Sequence, residues 1–242
     1  MKLVVKHVSQ SFGDKHVLDD INLTVERGEF VSLIGPSGSG KSTLFSLIGG
    51  LLTPSSGEIF MNDEAITGKR GFMSYMPQQP ALFSWRTVLD NVLIGQELSK
   101  QRDEKRAISM LEKAGLGDVI HAYPHELSGG MKQRASFIRA LLSPQSFLCL
   151  DEPFSALDEF TRLDMQKWLL NILETYERSI LFITHSIDEA IFLSDKIVIL
   201  STNPARIKTV VDIPFSRPRD ESLLLSSEFL MWKKKVLEAI EM

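Results

Sequence analysis

The sequence predicts an α/β protein built on a mostly parallel sheet, on three observations. First, Phe30-Val31-Ser32-Leu33-Ile34, Phe147-Leu148-Cys149-Leu150, Ile180-Leu181-Phe182-Ile183 and Ile197-Val198-Ile199-Leu200 are short, almost wholly apolar runs. Strands covered on both faces read this way, with no polar alternation. Second, segments with apolar residues at helical spacing separate these runs, and alternating strands and helices imply a parallel sheet. Third, the run ending at Ile34 feeds directly into Gly35-Pro36-Ser37-Gly38-Ser39-Gly40-Lys41-Ser42-Thr43, and helical spacing follows. Strand, glycine-rich loop and helix in that order aim a helix N-terminus at a phosphate.

Residues 2–12, with Leu3, Val4, Val5 and Val8, read as a strand closing on the turn signal Gly13-Asp14. Ile21, Leu23 and Val25 alternate with polar residues and predict a half-buried strand. Arg27-Gly28-Glu29 turns the chain into the strand at Phe30. Beyond the loop, Leu44, Leu47, Ile48 and Leu51 recur at helical spacing, which Gly49-Gly50 and Pro54 stop. Glu58 to Asn62 and Phe72 to Met76 are short strands, the second stopped by Pro77.

Between Gln78 and Ser128 the texture becomes helical. Val88 to Leu98 and Arg102 to Ala114 carry charged faces, and Ala107, Met110, Leu111 and Ala114 form one apolar stripe. Ser128 is placed to cap a helix carrying Met131, Ala135, Ile138 and Leu142, which Pro144 ends. Phe160 to Tyr176 and Ser186 to Leu193 predict two further helices, and about Ser227 to Ile240 a tail helix. The expected division is an α/β core over 1–78 and 130–213, a helical insert over 79–129, and a tail over 214–242.

Composition narrows the classes. A chain of 242 residues, 43% hydrophobic, can bury one large core. Its net charge of -4 and pI near 5.8 argue against a nucleic-acid partner. The single Cys149 cannot form an internal disulfide, which fits a reducing compartment. Residues 1–20 lack a basic stretch followed by an apolar core, so no signal peptide is expected. No apolar run approaches the roughly 18 residues a membrane span needs, so a membrane role would act through a partner.

The loop at Gly35–Thr43 matches G-x-x-x-x-G-K-[ST]. Its glycines let backbone N–H groups face phosphate oxygens, Lys41 sets a positive charge against the β- and γ-phosphates, and the Ser42 hydroxyl suits Mg²⁺. A second acidic element is then needed beside the loop. Asp151, at the end of a buried strand, is placed to hold the Mg²⁺ or its water, and Glu152 to take a proton from an attacking water. Alone, two acids ending a strand would read as solvated surface; the upstream loop gives them a partner.

Leu127-Ser128-Gly129-Gly130-Met131-Lys132-Gln133-Arg134 resembles the signature motif of the ATP-binding cassette (ABC) ATPases. The physics agrees, because Ser128 and two glycines at a helix start make a second anion site. The resemblance covers about residues 2 to 213, with motifs in the family's order. It implies a RecA-like P-loop NTPase core with an antiparallel β edge and an inserted α-helical subdomain. It also implies a head-to-tail homodimer, in which ATP on the loop of one copy is covered by Ser128, Gly129 and Gly130 of the other. Gln78 resembles the glutamine that reaches Mg²⁺ and the reacting water, and His185 the histidine that senses the γ-phosphate. Ser155-Ala156-Leu157-Asp158 is similar to the loop contacting the opposite subunit, while Asp158 also reads as a helix cap. Phe12 resembles the aromatic that stacks on adenine; a core phenylalanine is the alternative. Pro77, where an aromatic is common, and Ser84, where proline is common, depart from the pattern without touching catalytic atoms.

The family's usual output is transport, and a separate ATPase chain looks like an importer subunit at the cytoplasmic face of the membrane. Integral permease subunits, and indirectly an extracytoplasmic substrate-binding protein, are then the implied partners. Leu82, Phe83 and Trp85 are expected at the permease contact, with Trp85 equally readable as insert core. The stretch from Gln79 to Val92 and the segment Pro214-Phe215-Ser216-Arg217-Pro218-Arg219 are similar to importer subunits for nitrate, sulfonate, taurine and thiamine precursors. A soluble cassette ATPase, as in Fe–S cluster assembly, is the alternative. DNA-repair relatives would carry long coiled-coil insertions and translation relatives two cassettes. A GTPase would carry N-K-x-D, a small-molecule kinase has no need of Ser128-Gly129-Gly130, and a pure binding module would not hydrolyse nucleotide.

Overall fold

A computed structural model describes residues 1–175, 178–217 and 219–241. The expected helix end at Tyr176 and the Pro218 of the tail motif lie outside the described residues. In chain order the strands are β1 (Leu3–Phe12), β2 (Lys15–Val25), β3 (Phe30–Ile34), β4 (Ser56–Met61), β5 (Glu64–Ala65), β6 (Ser74–Met76), β7 (Phe147–Asp151), β8 (Ser179–Ile183), β9 (Lys196–Leu200) and β10 (Ile207–Asp212). The α-helices are α1 (Lys41–Ile48), α2 (Val88–Leu98), α3 (Glu104–Lys113), α4 (Gly129–Leu142), α5 (Glu159–Thr175), α6 (Ile187–Leu193) and α7 (Ser227–Glu241).

Two sheets form. The larger runs β10-β9-β3-β8-β7-β6, parallel throughout except for β10 at its edge. The smaller runs β2-β1-β4-β5 and is antiparallel. The apolar runs are explained by two cores, one on each face of the large sheet. Leu148, Leu150, Ile180, Phe182, Ile197 and Ile199 face a core shared with α2 to α7. Their neighbours Phe147, Cys149, Leu181, Ile183, Val198 and Leu200 face a second core. There Leu44, Phe45, Leu47 and Ile48 of α1 meet Leu3, Val5, Ile21 and Ile59 of the small sheet. Alternation survives as a choice of core, not of core against water.

Because β3, β8, β7 and β6 are parallel neighbours, their C-terminal ends open on one side of the sheet. The loop after Ile34, the acids at Asp151, His185 after β8 and Gln78 after β6 are thereby gathered. This is where ligands bind in open α/β sheets.

Two readings of the local pattern need correction, and one strand was not foreseen. The helix after the loop ends at Ile48, and Leu51 lies outside it, 48% exposed. Gly50 forces that stop: its φ is +69°, and a Cβ there would stand 2.1 Å from the Lys69 carbonyl oxygen. β2 begins at Lys15, well before the alternation at Ile21, because the turn at Gly13-Asp14 closes a hairpin pairing Phe12 with Lys15. The edge strand β10 was not legible, since only Val211 of its six residues is buried.

Thr87 caps α2 by accepting from the Asp90 amide, and Asp103 caps α3 by accepting from Arg106. Ala107 and Leu111 bury the predicted stripe against the same core as Ala135, Phe137 and Ile138 of α4. The tail folds back on α6. Buried Arg219 donates to the carbonyls of Ile191 and Phe192 at 3.0 Å, and Lys233 of α7 pairs with Asp188 at 2.8 Å.

Candidate functional site

Gly40, at φ +75°, bends the chain into α1. A Cβ there would lie 2.6 Å from the Leu18 side chain, so the loop sits against β2 only because the position is glycine. Lys41 opens α1 and curls back over the loop. Its Nζ donates to the carbonyls of Gly35 at 2.8 Å and Pro36 at 2.9 Å, and to Ser39 Oγ at 3.1 Å. Burial holds the ammonium pKa below its ordinary value, while Glu152 and Asp151 oppose that fall.

Asp151 ends β7 and is 4% exposed. Burial first, then the neighbouring charge of Glu152, push its carboxyl up to about 6, against the opposing pull of Ser42 and Lys41. Ser42 Oγ donates to Asp151 Oδ2 at 3.4 Å, a long bond. Glu152 takes a left-handed φ of +47°, a conformation that costs an L-residue on the order of 1–2 kcal/mol. Its amide donates to the Ile183 carbonyl at 3.0 Å. Its carbonyl accepts from Gln133 Nε2 at 3.2 Å and Ser155 Oγ at 3.0 Å. Gripped at both backbone ends, the side chain presents Oε2 to Gln78 Nε2 at 3.1 Å and to His185 Nδ1 at 3.3 Å.

These groups line a cavity of about 620 Å³. Of the sequence-predicted residues, Phe12, Gly35, Ser37, Gly38, Ser39, Gly40, Lys41, Ser42, Thr43, Gln78, Asp151, Glu152 and His185 meet there. Pro36 does not line it and instead supplies a carbonyl to Lys41. Phe12 stands at the wall, 48% exposed, which is no place for a core phenylalanine. Lys15, Val17 and Ile183 also line the cavity and were missed. The Gly13-Asp14 turn carried the signal for Lys15, since a tight hairpin must set it beside Phe12.

Ser128, Gly129 and Gly130 do not line this cavity. Ser128 caps α4, its Oγ accepting from the Met131 amide at 3.3 Å, and Ser128 and Gly129 are exposed. A Cβ on Gly130 would meet Leu157 at 3.4 Å and the Ala156 carbonyl at 3.5 Å, so this helix start lies against the Ser155–Asp158 loop. Asp158 caps α5, accepting from the Thr161 amide at 3.0 Å. One chain thus carries a cavity with a phosphate loop and, outside that cavity, an exposed helix N-terminus free of acidic residues.

The residues fit Mg²⁺ held together with phosphate, not Mg²⁺ alone. Among the described residues no cluster of three or more His, Cys, Asp or Glu side chains could cage a metal ion. Ser42 and Asp151 still offer hard oxygens side by side, and Mg²⁺ commonly takes one or two protein oxygens and completes its shell with water and phosphate. A buried carboxyl raised by a like charge is the state that a cation there would relieve.

On the flank, Phe83 and Trp85 are 40% and 71% exposed and their rings pack at 5.0 Å. Trp85 is therefore not insert core, whereas Leu82 packs partly against it. A groove of about 340 Å³ runs between β6, α2 and α4, lined by Met73, Tyr75, Ile94, Leu98 and Arg139 among others. No helix among the described residues is long and apolar enough to cross a membrane.

A family model described as ABC transporter matches residues 18–155. An aliphatic sulfonates import ATP-binding protein, SsuB, of Bacillus thuringiensis subsp. konkukian is 41% identical over 238 residues, covering 98% of this chain and 94% of its own. An uncharacterized ABC transporter ATP-binding protein of Methanocaldococcus jannaschii is 40% identical over 248 residues, covering 100% and 92%. Among solved structures, the dimeric post-hydrolysis state of an ATP-binding cassette bound to ADP and Pi matches at TM-score 0.77 with 27% identity. That match covers 88% of this chain and all of the other. The ATP-binding subunit of an ABC transporter matches at TM-score 0.80 with 28% identity, over 97% and 100%.

Proposed function

The chain belongs to the ABC transporter family and is an ATPase of that family, and from that premise we propose that it powers an importer. In this reading, ATP-driven closure of a cassette homodimer drives uptake of a small molecule through a separate membrane permease. The observation that carries it is the split of phosphate-binding elements. The cavity holds Lys41, Ser42, Asp151, Glu152, Gln78 and His185, while Ser128 caps a helix outside it.

Phe12 stacks on the adenine. Lys41 leaves the neutral Gly35 and Pro36 carbonyls for the charged β- and γ-phosphates, exchanging dipolar partners for ionic ones. Ser42 and Asp151, with Gln78, would hold Mg²⁺, which when bound neutralises phosphate charge. Glu152 receives the proton of the attacking water, its carboxylate aimed by Gln78 and His185. His185 pairs with Glu152 and is itself largely exposed, so it is free to meet the γ-phosphate. Ser128, Gly129 and Gly130 of a second copy close the site over the nucleotide. The dimeric ADP- and Pi-bound cassette of the same fold supports this arrangement.

The segment 79–129 acts as the unit that moves against the core formed by 1–78 and 130–213, with Gln78 at the joint. Exposed Phe83 and Trp85, with the groove beside α2, take a helix of the permease, which seats the chain peripherally at the cytoplasmic face of the membrane. The cargo is a small molecule of the sulfonate, taurine, nitrate or thiamine-precursor class, and of these the similarity to an aliphatic-sulfonate import subunit supports a sulfonate. The test is co-purification of the full chain with its multi-span permease from membranes, followed by Trp85→Asp. Loss of the permease with ATP affinity within twofold supports the reading. Retained ATPase activity with no multi-span partner in either sample favours a soluble cassette ATPase instead.

A further inference from the structure

Glu189 lies on α6, one turn beyond His185, and is 8% exposed. It lines no part of the nucleotide cavity, and Ser186, not Glu189, caps α6. Its carboxylate accepts from Thr184 Oγ1, the residue immediately before His185. It also accepts from Gln166 Nε2 of α5 at 3.2 Å. Arg162 of α5 brings Nε to 3.9 Å from Glu189 Oε1, too far for a hydrogen bond. That buried Nε has no hydrogen-bond partner among the described residues. The other end of the same guanidinium donates through Nη2 to the Leu157 carbonyl at 2.9 Å.

A polar path, open only at the 3.9 Å gap between Arg162 and Glu189, therefore runs from Leu157, in the Ser155–Asp158 loop, to Thr184 and His185. At the far end His185 meets Glu152. A buried carboxylate is costly unless fully partnered, and burial does hold the Glu189 pKa above its ordinary value. An apolar residue would serve packing better at such a place. The unmade Arg162–Glu189 bond leaves the path one short movement from closure.

We propose that Glu189 is a positioning residue that, through Arg162, ties the placement of the Ser155–Asp158 loop to the orientation of His185. When the loop shifts, Leu157 carries Arg162 with it. The guanidinium then closes on Glu189, and Thr184, held by the same carboxylate, fixes the backbone on which His185 sits. The inference rests on the reading of His185 as a working residue of the ATPase site.

The test uses the purified full chain with Glu189→Gln, Arg162→Lys and His185→Ala. Glutamine keeps the shape but turns an N–H group toward Arg162 or Gln166, and lysine cannot reach Leu157 and Glu189 together. Steady-state hydrolysis, ATP affinity and NMR of ¹³C-labelled histidine are read. The chain has five histidines, and His185→Ala identifies the His185 signal. Expected for Glu189→Gln and Arg162→Lys are kcat lowered roughly fivefold to thirtyfold, ATP affinity within twofold, and a moved His185 signal with the other four unmoved. Unchanged kcat, or a His185 signal that stays in place, overturns the proposal. If Glu189→Gln fails to fold, Arg162→Lys alone decides it on the same readings. If His185→Ala hydrolyses ATP like the parent, the reading of His185 falls. If His185→Ala is impaired and both other variants are normal, only the positioning role falls.

Discussion

Replacing Asp151 with asparagine should stabilise the nucleotide-free chain while removing its ATPase activity. Asp151 is buried at the end of β7 with Glu152 next to it, and its carboxyl rises from an ordinary 3.8 to about 6. The folded state therefore holds this proton more tightly than the unfolded chain does. Below about pH 4 the group is protonated in both states and costs nothing. As pH rises through the window from about 4 to about 6, the unfolded chain ionises first, and stability is lost. Above about 6 the loss is complete and constant. At about 1.4 kcal/mol per pH unit the full penalty is of order 3 kcal/mol, and relaxation around the charge reduces it to about 1–3 kcal/mol. Asparagine keeps an oxygen to accept from Ser42 and carries no charge. For a chain of this size, about 2 kcal/mol is roughly 4–8 °C in Tm. Thermal melts of both proteins at pH 7.5 and pH 5, without nucleotide or Mg²⁺, measure it. Asp151→Asn should melt higher at pH 7.5, with the gap narrowing at pH 5. Equal melting at pH 7.5, or a gap that widens on acidification, would refute the electrostatic reasoning.

Glu152→Gln should lower turnover by ~10²–10⁴ while ATP still binds, because the proton acceptor is lost and the bond from Gln78 can be kept; near-normal hydrolysis would remove Glu152 from its role. Lys41→Ala should weaken ATP binding at least about tenfold, since a charge-assisted contact to phosphate is worth roughly 1.5–3 kcal/mol; equilibrium nucleotide titration reads it, and undiminished affinity would count against the site. Gly50→Ala places a Cβ 2.1 Å from the Lys69 carbonyl in a left-handed position, at a residue that does not line the cavity. It should lower Tm by several degrees, at a cost of roughly 1–3 kcal/mol for the strained backbone, and leave the ATP affinity of folded protein unchanged. A Tm within a degree of the parent would show that the Gly50–Lys69 approach relaxes freely.

Legibility in the sequence followed physical strength. β3, β7, β8 and β9 were readable because both of their faces are covered, so each is a bare apolar run. α3 was readable because Ala107 and Leu111 bury one stripe of a charged helix. β10 and β5 were not, since edge strands bury almost nothing and backbone pairing leaves no mark on side-chain choice. The site was legible as motifs because each chemical task restricts residue type: glycine for backbone approach, lysine for phosphate charge, carboxylates for cation and proton. What motifs could not carry was placement across the chain. That Pro36 turns its carbonyl to Lys41, and that Gln133 anchors the Glu152 carbonyl, depends on contacts between α4, β7 and the loop that no local pattern encodes. Similarly, Trp85 was balanced between core and surface because an isolated tryptophan beside an amphipathic helix suits both, and only packing decides.

Mixing two crippled chains tests the joint grip of two copies on one nucleotide most directly. Lys41→Ala damages the phosphate loop and Ser128→Arg the exposed helix start, and each variant alone should be nearly inactive. In a head-to-tail pair, a mixed dimer rebuilds one intact site from the undamaged loop of one chain and the undamaged Ser128 of the other. An equal mixture should therefore recover up to about a quarter of parental hydrolysis, half of the dimers being mixed and half of their sites whole. Activity in the mixture no greater than the average of the two separate variants would contradict the account.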